Sequence, residues 1–326
     1  MPVDRPPPLA PDHPVTILLA SFDGAAFIGA QLDSIARQTY WTWQLIVSDD
    51  GSADATRDIV AGFAASRPPG QVRLIDGPGR GATLNFLHLL SVAPEGAVAF
   101  CDQDDVWFPD KLARAMAALS PFHGPAHYAA RTVIADAALH PVAESRHFPR
   151  PLGFRNAVVQ AIMAGNTSVF NAKAAAILRR CAGDAQTAGV PSHDWWAYQI
   201  MGGAGAELIH DRQPVLLYRQ HGQSEMGRND TIAAMSHRIG RLLAGEYGGW
   251  LAANHAALSA VRTELLPENR RILDGLGKAL HQRGPVAAAT MARLGLYRQT
   301  RPGTAALFAA ALMGRLRQCG PSSPSR

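Results

Sequence analysis

The architecture is indicated by Ala97-Val98-Ala99-Phe100-Cys101-Asp102-Gln103-Asp104-Asp105, an apolar run that ends in a cluster of carboxylates. Such an apolar run is typical of a buried strand, and the acidic residues mark the point where the chain leaves the sheet. The same order occurs upstream, where residues 15–20 lead into Ser21-Phe22-Asp23 and residues 44–48 lead into Asp49-Asp50-Gly51-Ser52. Acidic residues are therefore expected at several strand ends.

Segments with helical periodicity separate these predicted strands. Residues 27–35 place apolar side chains at helical spacing, residues 82–92 form a further predicted helix, and Pro109 opens another to about residue 119. Residues 72–75 add a predicted strand. The alternation predicts an α/β fold, with a Rossmann-like mixed, mostly parallel sheet flanked by helices. Ligands of such sheets bind beyond the carboxyl ends of the strands.

The charge is divided unevenly along the 326 residues. Residues 1–227 hold 17 Lys and Arg against 21 Asp and Glu, a net charge of −4, whereas residues 228–326 hold 14 against 5, a net charge of +9. Residues 1–13 are expected to be a flexible segment, 14–228 the α/β domain and 229–326 a basic helical extension. A basic extension suits an anionic membrane surface, and equally a solvated helical face.

The sequence predicts no membrane span. The longest apolar run of the C-terminal region, residues 305–313, is much shorter than the roughly 20 residues that a bilayer requires. The N-terminus lacks the basic start and apolar run of a signal peptide. Cys101, Cys181 and Cys319 are too few and too scattered to indicate disulfides or a zinc site. We therefore expect a cytoplasmic protein, at most peripheral at the inner face of the membrane through its basic extension, without a nucleic-acid partner.

The cluster Asp102-Gln103-Asp104-Asp105 has a chemical explanation. Three carboxylates this close repel one another, and a hard divalent cation relieves the repulsion. Mg²⁺ or Mn²⁺ takes carboxylate and phosphate oxygens, and it would neutralise the charge of a leaving nucleoside diphosphate. The alternative is an exposed acidic turn without a ligand.

Five motifs together resemble the family 2 glycosyltransferases, and the last two resemble a bacterial rhamnosyltransferase-like subgroup. The resemblance covers about residues 14–228 and implies a GT-A fold for that domain. In chain order the first motif comprises residues 17–24, 31–35 and 38–40, and the second is Trp43-Gln44-Leu45-Ile46-Val47-Ser48-Asp49-Asp50-Gly51-Ser52-Ala53-Asp54. They end with Asp102-Gln103-Asp104-Asp105-Val106-Trp107-Phe108-Pro109-Asp110-Lys111-Leu112, then His193-Asp194-Trp195-Trp196, then Tyr218-Arg219-Gln220-His221-Gly222.

The resemblance implies a role for each matching residue. Asp194 would be the general base that takes the acceptor proton, and Asp102, Asp104 and His221 would hold the metal. Residues 77–80, Gly-Pro-Gly-Arg, depart from the family's usual Asn-containing turn. The residues implied to contact the nucleotide-sugar donor are Ser21, Phe22, Asp23, Asp49, Asp50, Arg80, Asn85, Asp102, Gln103 and Trp196.

The resemblance also implies an activity. It is an inverting, nonprocessive, metal-dependent transfer from dTDP-rhamnose or a UDP-hexose to a glycan or lipid-linked acceptor, in cell-surface polysaccharide or lipopolysaccharide assembly. A dinucleotide-dependent oxidoreductase is disfavoured because no Gly-x-Gly-x-x-Gly follows the first strand. A sugar nucleotidyltransferase and a non-catalytic nucleotide-sugar-binding protein stay open. So do structural roles for Asp194 as a helix cap, for Trp195 and Trp196 as core, and for His221 as an ordinary buried histidine.

Overall fold

The computed structural model describes residues 14–221 and 246–317. Its described residues contain one mixed sheet in the order β3-β2-β1-β4-β8-β6-β9-β5, with β7 beside β6. The strands are β1 Val15–Ser21, β2 Trp43–Asp49, β3 Val72–Asp76, β4 Val98–Asp102, β5 Val106–Trp107, β6 Ala126–Ala135, β7 Pro141–Glu144, β8 Val169–Phe170 and β9 Glu207–Arg219.

The pairing of the strands explains how the site forms. Strands β3, β2, β1 and β4 run parallel, as do β6 and β9, whereas the two-residue strand β8 joins β4 to β6 by antiparallel pairing. In the parallel register Ser21 lies beside Asp49, and Ala20 lies beside Asp102. The polar residues that follow three strands therefore meet at one edge of the sheet, as the sequence predicts.

Helices cover both faces of this sheet. Successive residues of β1 point to opposite faces of the sheet. Leu18 packs in one apolar cluster with Phe86 and Leu178, whereas Ile17 packs in another with Leu32. The helices are α1 Ile28–Ala36, α2 Thr56–Ala65, α3 Ala82–Val92, α4 Lys111–Leu119, α5 Phe154–Ala157, α6 Ala172–Ala188, α7 His193–Gly203, α8 Glu246–Ala260, α9 Pro267–His281, α10 Gly284–Arg293 and α11 Arg301–Leu312. The fold is thus the expected GT-A type of α/β arrangement.

The C-terminal helices share a core with the α/β part of the chain. Leu251 and Leu258 of α8 are buried in the same cluster as Leu178 of α6 and Ile200 of α7. Prolines stand at the first turns of α9, α10 and α11, where their missing N–H groups cost nothing. The predicted boundary between residues 228 and 229, and the predicted flexible segment 1–13, lie outside the described residues. Within the described ranges, no helix combines the length and the apolarity that crossing a bilayer requires.

Candidate active site

Asp49 organises the turn after β2. Its carboxylate accepts hydrogen bonds from Ser21 Oγ at 3.1 Å, from the Ser52 amide at 3.0 Å and from Arg57 Nη1 at 3.3 Å. Burial alone would raise the pKa of Asp49, but these hydrogen bonds outweigh it and lower the pKa. An ionised Asp49 therefore ties β1 to β2, and a nucleobase at the position predicted for it would compete with these donors.

The turn after β1 is fixed by the loop after β4. The Phe22 amide donates to Gln103 Oε1 at 3.0 Å, and Gln103 Nε2 donates back to the Phe22 carbonyl at 2.9 Å. A Cβ on Gly24 would stand 2.1 Å from the same Gln103 oxygen, so a larger residue there would displace the Gln103 side chain from the Phe22 backbone. Asp23 has a positive φ of 44° and accepts the Ala53 amide. The Phe22 ring, 56% exposed, is thereby held at the mouth of the site.

Asp50 shapes the loop after β3. Its two oxygens accept the amides of Gly79 at 2.7 Å and Gly81 at 2.6 Å, two glycines with positive φ. Arg80 lies between them and is exposed. Asp50 is therefore positioned as a backbone clamp that presents Arg80, the residue in the loop that departs from the family's usual turn.

Asn85 is buried at the start of α3. Its Nδ2 donates to the Ser48 carbonyl at 2.8 Å, which holds α3 against the end of β2. Among the residues that the structure describes, Asn85 Oδ1 has no hydrogen-bond donor. Asn85 therefore holds α3 in place, and its contact with the donor stays a prediction.

The candidate metal site lies between the loop after β4 and the end of β9. Asp104 Oδ2 and His221 Nε2 are 2.9 Å apart, and the His221 ring stacks on Phe27 with centroids 4.2 Å apart. Two neighbouring ligands of an octahedral Mg²⁺ at about 2.1 Å stand about 3 Å apart, so this pair fits such an ion. Asp102 ends β4 on the same loop. No group of three or more potential ligands is arranged around a single point in the described ranges.

Asp105 is fully buried and anchors this loop, whereas Asp102 and Asp104 are partly buried. Asn166 Nδ2 donates to it at 2.7 Å and the Arg219 amide at 3.3 Å, while Arg219 Nε donates to the Asp104 carbonyl at 2.8 Å. Burial, followed by the charges of Asp102 and Asp104, raises the pKa of Asp105 well above its usual value. Asp105 therefore joins the metal loop to β9, two residues before His221.

Lys111 is fully buried beneath the same loop. Its Nζ donates to the Asn166 carbonyl at 2.8 Å and lies 3.1 Å from the centroid of the Trp107 ring. Burial lowers the pKa of Lys111 to about 7. The sequence does not predict the burial of Lys111, because a lysine at the start of an amphipathic helix is usually exposed.

Asp194 lies in the first turn of α7, where the positive end of the helix dipole favours a carboxylate. Its oxygens accept the Trp195 amide at 2.6 Å, the Ser192 hydroxyl, and the Gly165 amide at 3.2 Å. Ser192, not Asp194, is the N-cap residue. A Cβ on Gly165 would stand 2.8 Å from His193 Nε2, so this approach also requires glycine.

The turn Gly165–Thr167 consequently contacts both acidic centres. Its first residue donates to Asp194 and its second donates to Asp105. The sequence predicts only a plain turn or a sugar-pocket lining here. The structure places it as the connection between the candidate base and the candidate metal loop.

Trp196 does not reach the site. Its ring is fully buried in the apolar cluster of α3, α6 and α7, because α7 is enclosed on nearly every face. This corrects the prediction that Trp196 contacts the donor. Trp195 is also buried, and its Nε1 donates to the Ala157 carbonyl at 2.7 Å. The open alternative that the paired tryptophans are core residues is the one the structure supports.

Comparison with known proteins agrees with this geometry. Residues 16–170 match the sequence profile of glycosyl transferase family 2. The dTDP-rhamnosyl transferase RfbG of Shigella flexneri is 26% identical over 231 residues, 68% of this chain and 78% of the relative. The Escherichia coli protein WfgD, a UDP-Glc:alpha-D-GlcNAc-diphosphoundecaprenol beta-1,3-glucosyltransferase, is 35% identical over 102 residues, 31% of this chain and 39% of the relative.

A solved structure shares the fold. S. aureus TarS 1–349 in complex with UDP-GlcNAc superposes with a TM-score of 0.53 at 14% identity, covering 93% of this chain and 89% of that one. This structure shows the fold alone, and the class, glycosyltransferase, rests on the family profile and on the relatives RfbG and WfgD. The match of residues 16–170, just under half of the chain, and the similarity to RfbG support a family 2 glycosyltransferase.

Proposed function

We propose that the protein transfers a sugar from a nucleotide diphosphate donor to an acceptor hydroxyl with inversion, one sugar at a time and with a divalent metal. The observation that carries the proposal is the turn Gly165–Thr167, which contacts Asp194 on one side and the Asp105 anchor of the metal loop on the other. An inverting displacement needs a base on the acceptor side and a positive clamp on the leaving side, held at a fixed separation.

The residues divide the reaction between them. The acceptor oxygen forms a bond to the anomeric carbon while the bond from that carbon to the diphosphate oxygen breaks. Asp194 takes the acceptor proton, and the nucleoside diphosphate leaves. Asp102, Asp104 and His221 would hold Mg²⁺ or Mn²⁺, which supplies positive charge beside the leaving diphosphate when bound. Arg80, exposed on its glycine loop, would add a second positive group.

The donor is proposed to be dTDP-rhamnose, with UDP-hexoses next. RfbG is named as a dTDP-rhamnosyl transferase, WfgD as a glucosyltransferase that uses UDP-Glc, and TarS is seen with UDP-GlcNAc. The acceptor is proposed to be a glycan or a lipid-linked glycan in cell-surface polysaccharide assembly, in line with the diphosphoundecaprenol in the name of WfgD. The lipid-linked form would be reached from the cytoplasmic side of the membrane.

Calorimetric titration of the full chain with dTDP and with UDP, each in Mn²⁺ and in EDTA, tests the donor site. We expect binding in Mn²⁺ and at least tenfold weaker binding in EDTA, with dTDP the tighter nucleotide. Incubation with dTDP-rhamnose should then release dTDP when a lipid-linked glycan is added. Release of pyrophosphate from a nucleoside triphosphate and a sugar phosphate would identify a nucleotidyltransferase instead, and nucleotide binding without any turnover would identify a non-catalytic binding protein.

A further inference from the structure

The adjoining ends of α10 and α11 expose apolar side chains in an unusual concentration. Val286 is 54% exposed, Leu312 is 53% exposed and Met313 is 56% exposed. A Cβ on Gly284 would lie 1.9 Å from the Leu312 carbonyl oxygen, so the start of α10 rests directly against the end of α11. The three exposed apolar side chains therefore lie on adjoining helix ends.

Arginines surround these side chains. Arg283 precedes α10, and Arg315 and Arg317 follow α11; all three are exposed. None of them forms an ion pair with a carboxylate in the described ranges. We call Arg283, Val286, Leu312, Met313, Arg315 and Arg317 the apolar–arginine patch.

The sequence around the patch contains basic residues and no acidic ones. Residues 275–326 contain eight Lys and Arg and no Asp or Glu. A surface for another protein usually mixes charges of both signs, whereas a surface for anionic lipid headgroups combines basic residues with apolar side chains that enter the headgroup region. The charge of residues 275–326 therefore favours an anionic lipid surface as the partner.

We propose that the apolar–arginine patch binds an anionic lipid surface. Leu312, Met313 and Val286 insert among the headgroups, and the three arginines contact lipid phosphates. Lipid binding by the patch does not depend on the donor, the metal or the reaction proposed above.

The patch is connected to the acceptor side of the active site. A Cβ on Gly248 would stand 3.0 Å from the Leu316 carbonyl oxygen, within the segment that carries the patch. The neighbouring Tyr247 stacks on Trp195 with centroids 5.9 Å apart, and Trp195 directly follows Asp194. The patch and the element that carries the candidate base are therefore linked through α8.

Cosedimentation of the full chain with vesicles tests the proposal. We expect binding to phosphatidylcholine vesicles that contain 30% phosphatidylglycerol, little binding to pure phosphatidylcholine, and weakening by salt. Each arginine near such a surface strengthens partition about fivefold, so the double variant Arg315→Gln/Arg317→Gln should bind about 25-fold more weakly. The variant Leu312→Ser/Met313→Ser should lose at least about tenfold.

Two control variants replace residues of the same types outside the patch. Arg37→Gln/Arg73→Gln deletes two exposed arginines, and Val142→Ser deletes an exposed apolar side chain on β7; both should bind vesicles like the unaltered chain. Nucleotide binding by the patch variants should also be unchanged. Absence of vesicle binding, equal binding to neutral vesicles, or patch variants that bind like the controls would each overturn the proposal. A dimer in solution that Leu312→Ser/Met313→Ser dissociates, without vesicle binding, would assign the patch to a second copy and overturn it too.

Discussion

At the scale of single residues, the environment of each carboxylate separates structural from chemical roles. Asp49 accepts the Ser52 amide of its own turn, and Asp50 accepts the Gly79 amide of the loop after β3. Asp105 is enclosed between Asn166 and Arg219. Asp194 is half-buried at the start of α7, and Asp104 contacts His221. Adjacent acidic residues in the sequence thus have different functions in the fold.

Asp194 is the residue whose loss should separate binding from chemistry. We expect Asp194→Asn to bind nucleotide within about twofold of the unaltered protein and to lower kcat by about 10²- to 10⁴-fold, since the amide cannot take a proton. Calorimetry and a turnover assay measure the two quantities. Asp184→Asn, an exposed change on α6, is the control; turnover near normal in Asp194→Asn would refute the assignment of the base.

Asp104 should act on the metal and not on the proton. Asp104→Asn removes one anionic ligand, and we expect the Mn²⁺-dependent part of nucleotide binding to weaken at least about tenfold, while binding in EDTA stays the same. The exposed Asp58→Asn on α2 should leave both values unaltered. Equal loss of affinity in Mn²⁺ and in EDTA would show that Asp104 contacts the nucleotide directly.

The sequence predicted which residues follow the strand ends more readily than it predicted which side chains are buried. The motif positions predicted the residues that follow β1, β2 and β4, and their strand ends do converge. Burial of Trp196, Asp105 and Lys111 could not be predicted, because it depends on α7 and the loop after β4 being covered by segments that lie far away in the chain.

At the scale of elements, the turn Gly165–Thr167 connects the candidate base to the candidate metal loop, and we propose that it positions them. Asn166→Ala removes the Asn166 donor to Asp105, and we expect a loss of about 1–3 kcal/mol in the free energy of unfolding. It should also lower kcat by roughly 10- to 100-fold, because small displacements of reacting groups cost that much. Denaturant unfolding and steady-state kinetics measure the two effects.

Asn171→Ala provides the matched comparison. Asn171 caps α6 through the Ala174 amide and lies close in sequence, so its loss should destabilise the fold by about 1–2 kcal/mol without changing kcat. If Asn166→Ala changed only stability, as Asn171→Ala is expected to do, the turn would have no positioning role.

Long periodic elements were predictable from the sequence, and short or irregular ones were not. The strands and helices up to residue 119 lie close to their predicted bounds. The sequence indicates a strand only at residues 215–219, whereas β9 begins at Glu207, because its pairing with β6 shifts register near Pro214 and interrupts the alternation. The pairs Val106–Trp107 and Val169–Phe170 are strands only because neighbouring strands hydrogen-bond to them.

At the scale of the whole molecule, buried histidines couple stability to pH. Burial lowers the pKa of His127 to about 3 from an ordinary value of 6.5, and it lowers the pKa of His193 to about 4. Both stay neutral in the folded chain at pH values where the unfolded chain takes up protons. Their contribution to stability is therefore complete above about pH 6.5 and is lost as the pH falls toward 4.

His127→Gln should reduce this dependence. Denaturant unfolding at pH 7.5 and pH 5.0 should show a fall in the free energy of unfolding, and the fall should be smaller by about 1–2 kcal/mol in His127→Gln. The exposed His123→Gln should behave like the unaltered protein. An identical fall in His127→Gln would mean that His127 is protonated in the folded state.

The relation of the C-terminal helices to the rest of the chain was beyond prediction. Their composition indicates helices, and their prolines mark the breaks correctly. Helix α8 packs against α6, which is far away in the sequence. No local sequence pattern predicts a contact of this kind.

The paired hydrogen bonds between Gln103 and the Phe22 backbone, and the Asp50 clamp on its glycine loop, have a consequence for evolution. Both are made entirely by this chain, so the walls of the proposed donor pocket form as the chain folds. On a backbone fixed in this way, the preference for one sugar nucleotide over another would change through substitution of exposed side chains such as Phe22 and Arg80. New specificities are then reached by single substitutions, on a backbone that need not be redesigned.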